Sequence, residues 1–268
     1  MSISVFYHHV LQAAEQSEKP VAEILEAISK AGVSGVEMDL YNFSDEIDHT
    51  ALIHSAGIKC ECVNAHYSME TEFDEKQAQA HIDAAIACGS YRILVVPGYL
   101  SVEEEISLGK VIHDKKAVYS FLEACPTAVK IAEGLNRITQ MAHEKGVTVT
   151  IEDFDNTASP LSGLNALLWY FDKVPHLKCT FDTGNFVTYG DDLFDAWNQL
   201  KDRIVHIHCK DRSDFPIAVG DGYLPLSELF QTIVQSGYNG AFAIEHYGAV
   251  DQLTCIMRSA GFIAQATV

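Results

Sequence analysis

Two histidines one residue apart, His206 and His208, lie in the apolar stretch VHIHCKD, residues 205–211. Successive side chains of a β-strand point to opposite faces, so both imidazoles would share one face, with Val205 and Ile207 on the other. The stretch therefore predicts a strand with one apolar face and one face that can bind a ligand. Two hydrogen-bonded core histidines are the alternative interpretation.

Three other short stretches, at 147–152, 179–182 and 241–245, show the same alternation. On each, bulky apolar side chains fall on one face, and small or polar side chains fall on the other. The second face ends in an ionisable or ligand-type residue in all four stretches. These residues are Glu152, Asp182, His208 and Glu245.

Such a set of side chains predicts a divalent metal site. Three carboxylates brought together would repel one another and raise one another's pKa unless a cation neutralised them. An oxygen-rich ligand set with one nitrogen suits manganese first, with magnesium, cobalt or zinc as alternatives, and it leaves positions open for a substrate. A network of buried ion pairs is the other interpretation.

The elements that must position these residues follow a repeated pattern. An amphipathic segment ending in glycine precedes a short β-rich run, as in AISKAGVSGVEMDL and MAHEKGVTVTIEDF, and eight candidate strands result. Eight βα units over residues 1–268 predict a single α/β domain, a (β/α)8 TIM barrel, whose catalytic groups lie at the C-terminal ends of the strands. An open doubly wound sheet is the alternative, but no glycine-rich phosphate fingerprint follows the first strand.

The same repeated pattern predicts where the strands and helices lie. Strand 1 is expected at SISVFYHH, so that Tyr7, His8 and His9 end it, and the segment 99–120 is expected to be a long loop. Glu37, on the second strand, is expected to be a buried acidic partner within the barrel. Helices are expected near residues 20–31, 45–56, 75–88, 126–145, 162–171, 192–201, 226–236 and 250–260.

Composition excludes several classes of partner. Eighteen basic and thirty-seven acidic side chains give a net charge of −19, which would repel nucleic acid and anionic membranes. The N-terminal sequence has no signal-peptide pattern, and no stretch has the apolar length of a membrane span. We therefore expect a soluble cytoplasmic protein without nucleic-acid or membrane partners, and seven cysteines that are reduced, buried thiols.

Several motifs resemble those of a known superfamily. TIEDF, FDTGN, HIHCKD and AIEH, with GDGYLP and GYNG between the last two, resemble the xylose isomerase-like TIM barrels. That superfamily includes D-tagatose 3-epimerase, hydroxypyruvate isomerase, inosose isomerase, and inosose and 3-dehydroshikimate dehydratases. The resemblance assigns the metal ligands to Glu152, Asp182, His208 and Glu245, the residues that the strand alternation had selected.

The resemblance also implies a reaction. A small sugar or polyol ketone would bind the metal, and Glu152 and Glu245 would be the catalytic acid–base pair of an isomerase or epimerase that transfers protons through a metal-bound enediolate. A dehydratase on the same site and a non-catalytic binding subunit are the alternatives. The sequence has Asn185, Asp214 and Ala158 where the ketose 3-epimerase pattern has histidine, arginine and glutamate.

Four further residues are predicted to contact the substrate: His66, Asn185, Lys210 and Asp211. His66 follows strand 3, Asn185 lies in the DTGN turn, and the other two follow the metal histidine. Asp211 is also expected to orient a metal ligand or the loop. The alternatives are a loop histidine for His66, a turn-forming asparagine for Asn185, and a surface ion pair for Lys210 and Asp211. By analogy with the superfamily the protein is also a possible homo-oligomer.

Overall fold

The computed structural model describes residues 1–44, 46–215 and 217–268. Its strands follow one another in chain order around a closed barrel, which confirms the predicted (β/α)8 fold class. The strands are β1 (Ser2–Phe6), β2 (Val33–Asp39), β3 (Lys59–His66), β4 (Arg92–Val96), β5 (Thr148–Ile151), β6 (Lys178–Asp182), β7 (Ile204–Cys209) and β8 (Ala241–Ile244).

The helices of the described residues connect these strands. They are α1 (Tyr7–Ser17), α2 (Val21–Lys30), α3 (His49–Ser55), α4 (Glu75–Ala87), α5 (Val102–Gly109), α6 (Lys115–Ala124), α7 (Pro126–Glu144), α8 (Gly163–Lys173), α9 (Leu193–Leu200), α10 (Leu226–Gln235) and α11 (Gln252–Ala266). Short 3-10 turns occupy Leu40–Phe43 and Phe186–Tyr189. Across the described ranges, no helix combines the length and the apolar character that crossing a membrane requires.

The expectation for the end of strand 1 was wrong. Strand β1 ends at Phe6, and Tyr7, His8 and His9 form the first turn of helix α1. The buried residues Tyr7, Val10 and Ala14 follow one another at intervals of three and four, which is the spacing of one helix face. Because that face is buried, the segment forms a helix, whereas the alternation alone suggested a longer strand.

The segment expected to be a long loop contains helix α5 and most of α6. Helix α5 begins with a capping box, in which the Ser101 backbone N–H donates to Glu104 Oε2 at 2.8 Å and the Glu104 N–H donates back to Ser101 Oγ. Asp114 caps the start of helix α6, and its carboxylate accepts the Ala117 N–H at 3.0 Å. These side-chain caps start two helices where the sequence had suggested a long loop.

The described residues form two compact units. The first contains 1–63, 87–90 and 206–268, and the second contains 64–86 and 91–205. The expectation of one domain over residues 1–268 stays a prediction.

In the first unit, the strand register aligns His208 with small residues. Strand β8 pairs in parallel with both β7 and β1, which aligns His208 with Ala243 and Ala243 with Ser4. Ser4 is aligned in turn with Gly35 on β2. The space beside Gly35 holds the side chain of Glu61, whose Cγ atom would lie 2.5 Å from a Cβ atom on that glycine.

In the second unit, buried threonines occupy strands β5 and β6. Thr180 Oγ1 donates to Thr150 Oγ1 at 2.9 Å, and Thr150 Oγ1 donates to the Ile93 carbonyl of β4 at 3.1 Å. Both threonines are buried and hydrogen-bonded, as polar groups inside a barrel must be. They precede Glu152 and Asp182 by two residues each, so they lie on the face that the sequence alternation assigns to those carboxylates.

Candidate active site

The second unit brings two of the predicted metal ligands together. Glu152 directly follows strand β5, and Asp182 is the last residue of β6. Both side chains are buried, and each offers a carboxylate oxygen within 4.8 Å of the other's. Because β5 and β6 are parallel neighbours, their C-terminal ends bring both carboxylates to the same edge.

The turn after β6 fixes the orientation of Asp182. Its Oδ1 atom accepts the backbone N–H groups of Gly184 and Asn185 at 2.7 and 2.9 Å. The Asn185 side chain donates through Nδ2 to the Asp153 carbonyl at 2.9 Å. Asn185 therefore has an observed role in the turn, and its predicted contact with a substrate stays a prediction.

The first unit holds the other two predicted ligands. His208 lies on strand β7, Glu245 directly follows β8, and both are buried. His208 Nδ1 lies 3.4 Å from Glu245 Oε2. Two atoms that bind one cation at about 2.1 Å each lie about 3.0–3.4 Å apart, depending on the coordination geometry, so this separation suits a shared ion.

A further carboxylate, that of Glu37 on strand β2, bridges the two histidines. Its Oε1 lies 2.5 Å from His206 Nε2, and its Oε2 lies 3.2 Å from His208 Nε2. Burial acts to raise the pKa of Glu37, but the two histidines outweigh it, through their charge whenever they are protonated and through their hydrogen bonds, and hold that pKa well below its usual range. These contacts confirm Glu37 as a buried acidic partner and His206 as a hydrogen-bonded core histidine.

Lys210 contacts the predicted ligand Glu245. Its Nζ lies 2.8 Å from Glu245 Oε1, so the carboxylate presents one oxygen to the lysine and the other to His208. The same ammonium lies 5.6 Å from the ring centroid of Tyr247, an exposed side chain. The ion pair orients Glu245, and the predicted contact of Lys210 with a substrate stays a prediction.

Asp211 organises the loop between β7 and α10. Its carboxylate accepts four backbone N–H groups, from Arg212, Gly220, Gly222 and Leu224, at 2.8–3.3 Å. A Cβ atom on Gly222 would lie 2.2 Å from Asp211 Oδ1, so the close approach requires glycine there. The structure thus gives Asp211 a loop-forming role, and its predicted substrate contact is not tested.

His66 ends strand β3 and is exposed. It borders a cleft of about 800 Å³ in the second unit, together with Phe73 and Arg137, and its carbonyl accepts the Gln77 side-chain amide at 2.8 Å. The structure describes no contact between His66 and the predicted metal ligands. Its role in substrate binding stays a prediction.

Sequence reasoning missed a second cluster of histidines beside Glu245. His9 Nε2 accepts the His246 backbone N–H at 3.1 Å, and their rings stack with centroids 4.9 Å apart. Burial, followed by the nearby His8 and His246, lowers the pKa of His9 well below its ordinary value. The adjacent histidines of FYHH and the one in AIEH were visible in the sequence, but only helix α1 brings them together.

The donor chemistry fits a divalent cation. Glu152, Asp182, His208 and Glu245 are all buried, and a buried carboxylate costs several kcal/mol unless a positive charge compensates it. Carboxylate oxygens with imidazole nitrogen form the ligand set that such ions accept. The buried acidic and histidine clusters could therefore bind a metal ion.

The fold is a closed parallel barrel, and buried carboxylate and imidazole side chains lie at or near the C-terminal ends of its strands. A sequence model of the xylose isomerase-like TIM barrels matches residues 25–265. The chain belongs to this family, which confirms the resemblance seen in its motifs.

Individual relatives include proteins of more than one activity. An inosose dehydratase from Lacticaseibacillus casei is 25% identical over 136 residues, an alignment that covers 43% of this chain and 46% of the relative. The chain thus spans less than half the length of that relative.

Solved structures share the fold at lower identity. D-allulose 3-epimerase from Methylomonas sp. superposes with a TM-score of 0.74 at 14% identity, covering 99% of this chain and 98% of that one. A xylose isomerase-like TIM barrel protein from Mycobacterium smegmatis, in complex with magnesium, superposes with a TM-score of 0.64 at 15% identity, covering 92% of this chain and 87% of that one. Epimerases and dehydratases therefore both occur among the proteins similar to this one.

Proposed function

We propose that the protein is a divalent-metal-dependent isomerase or epimerase of a small sugar or polyol ketone. In this proposal, one cation, manganese in the first instance, is held by four side chains: Glu152, Asp182, His208 and Glu245. One observation carries it: each unit buries two ligand-type side chains at the ends of adjacent strands. A parallel barrel collects such strand ends at one face, where enzymes of this fold have their active sites.

The two glutamates would do the acid–base chemistry. When bound, the cation would polarise the substrate carbonyl and stabilise the negative charge that develops as the neighbouring carbon loses its proton. One glutamate removes that proton, and the other returns a proton to the opposite face, which inverts the carbon centre. If the proton is returned to the adjacent carbon instead, the product is the isomeric aldose or ketose.

Lys210 supports this division of roles. Its ammonium, 2.8 Å from Glu245 Oε1, holds one oxygen of the carboxylate and so fixes the direction of the other. A general base must lie within hydrogen-bond distance of the proton that it removes, and such an ion pair limits its movement. Glu152 lies beside Asp182, whose carboxylate accepts two backbone N–H groups of its own turn.

Dehydration is the second candidate, and the likeness to inosose dehydratase favours it. The first step would be the same proton removal, but a hydroxyl on the next carbon would then leave as water. That hydroxyl needs a proton donor, and Lys210 or His66 would supply it. The product would be lighter than the substrate by one water.

The experiment that tests the proposal follows hydrogen exchange. The manganese-loaded protein is incubated in D₂O with a panel of ketoses, inososes and related polyol ketones, and proton NMR follows loss of the signal beside the carbonyl. We expect metal-dependent exchange with a product of unchanged composition. Loss of water would identify a dehydratase instead, and no exchange with any compound, in protein shown to contain manganese, would contradict the proposal.

Two variants test the assigned acid–base pair. Glu152→Gln and Glu245→Gln each remove a proton-transfer group and a charged ligand oxygen while keeping the side-chain size, so each is expected to abolish exchange. Glu228→Gln, on the exposed surface of helix α10, is the matched control and should keep wild-type exchange. Near-wild-type exchange in either active-site variant would remove that glutamate from the mechanism.

A further inference from the structure

We infer that Glu37 is a positioning residue that determines which nitrogen of His208 binds the metal. In this assignment Glu37 holds the hydrogen-bearing Nε2 of His208, and the lone pair of Nδ1 is the ligand. The inference rests on the metal site proposed above, and it adds a residue from strand β2 that is not itself among the four ligands. Glu37 is buried, with an exposed fraction of 1%.

The hydrogen-bond chemistry gives the assignment. An ionised carboxylate only accepts hydrogen bonds, so an imidazole nitrogen that contacts it must carry the hydrogen. Glu37 Oε2 lies 3.2 Å from His208 Nε2, which places the hydrogen of a neutral imidazole on that atom. Nδ1 then has the lone pair, and Nδ1 is the atom 3.4 Å from Glu245 Oε2.

Neighbouring groups keep Glu37 and His208 in this arrangement. His206 Nε2 lies 2.5 Å from the other carboxylate oxygen, Oε1, so Glu37 cannot turn without losing that contact. Phe6 packs its ring edge-on to the His208 ring at 4.9 Å between centroids, which opposes a flip of the imidazole.

The arrangement matters because the two neutral tautomers of histidine are close in energy. With the hydrogen on Nδ1, His208 would present N–H where the cation needs a lone pair. A carboxylate behind a ligand histidine also makes the imidazole a better donor, and loss of such a partner typically lowers metal affinity about 10- to 100-fold. Glu37 would thus act on the metal site through His208.

Glu37→Gln is the direct test. The amide keeps the shape of the side chain but offers only one oxygen, so one of the two histidines must face an NH₂ group. We expect Mn²⁺ to bind about 10- to 100-fold more weakly, as measured by isothermal titration calorimetry of folded, metal-free protein. Glu61→Gln is the matched control, because it makes the same change in a carboxylate of strand β3 that accepts the Ser2 hydroxyl at 2.8 Å and pairs with Lys59. Its Mn²⁺ affinity should stay within about threefold of the wild type.

A second measurement does not depend on metal binding. Proton–nitrogen NMR of metal-free wild-type protein, labelled with ¹⁵N-histidine, reports the tautomer of His208, whose signals are identified by their loss in His208→Ala. We expect the hydrogen on Nε2. This experiment tests the inference even if Glu37→Gln does not fold, and circular dichroism with urea unfolding shows whether it does.

The outcomes separate this inference from the proposed function. A hydrogen on Nδ1 of His208, or a Glu37→Gln variant that binds Mn²⁺ as tightly as the wild type, would overturn the role of Glu37. A wild-type protein that binds no divalent cation would overturn the proposed function and the metal-related role of Glu37, but not the tautomer. The expected tautomer together with weakened binding supports the inference.

Discussion

The change Asp211→Asn tests whether this residue forms the loop after β7. Each carboxylate oxygen accepts two backbone N–H groups: Oδ1 those of Arg212 and Leu224, and Oδ2 those of Gly220 and Gly222. Asparagine keeps the size and one oxygen, but its NH₂ group would face two N–H donors. Two hydrogen bonds are therefore lost whichever way the amide turns.

The magnitude follows from those two bonds. A hydrogen bond to a charged group contributes about 1.5–3 kcal/mol, and Asp211 is only partly buried, so water can replace part of the loss. We expect a decrease of about 2 kcal/mol in the free energy of unfolding, equivalent to a fall of about 4–8 °C in Tm for a chain of this size. Urea unfolding followed by circular dichroism measures it.

Turnover and the free energy of unfolding, measured together on Asp211→Asn, can refute the loop-forming role. If Asp211 acts chiefly on a substrate, Asp211→Asn would lower turnover while leaving the free energy of unfolding within about 0.5 kcal/mol of the wild type, as surface substitutions usually do. That pattern would contradict the loop-forming role. Asp214→Asn, an exposed aspartate in the same loop, is the matched control and should change neither quantity.

Three further predictions concern pH, metal and the histidine pair. The pKa of His9 is lowered in the folded state, chiefly by burial, so below its ordinary value of 6.5 the unfolded chain takes up a proton that the folded chain does not. The free energy of unfolding in urea should therefore fall from pH 7.5 to 5.5 in the wild type, and it should fall less steeply in His9→Gln. Equal pH dependence in the two proteins would refute this prediction. Added Mn²⁺ should raise Tm and EDTA should reverse the rise, since a ligand that binds only the folded state stabilises it by about 2.7 kcal/mol at 100 times its Kd; an unchanged Tm would argue against a metal site. His208→Ala should reduce the bound manganese, measured by elemental analysis, far more than His206→Ala, and equal losses would contradict the separate roles of the two residues.

The departures from the predicted elements have a common cause. Helix α1 and the two helices after β4 were missed because alternation and acidic composition describe single segments, whereas helix formation there depends on a buried face and on side-chain caps. Tyr7 and Val10 are buried by the rest of the first unit, which no local pattern reveals. Element boundaries are therefore decided by packing as well as by propensity.

The sequence left the roles of two polar residues open. Asp211 and Asn185 were predicted as substrate contacts, with a loop-orienting role for the first and a turn-forming role for the second as further interpretations, and the structure gives both of them backbone partners in turns. Side chains such as aspartate and asparagine serve turns and substrates with the same atoms. Only the positions of the surrounding N–H and carbonyl groups distinguish the two uses.

The sequence by itself determined the strand alternation, and through it the barrel class and the candidate ligands. It could do so because a period of two assigns each residue to one face, whatever the neighbouring strands are. The tertiary structure alone decided how those ligands are held. Glu37 lies 169 residues before His206 in the chain, and its two oxygens meet two histidines only because all three residues belong to one folded unit. Contacts over such separations depend on the packing of whole strands, and no local pattern of residues encodes them.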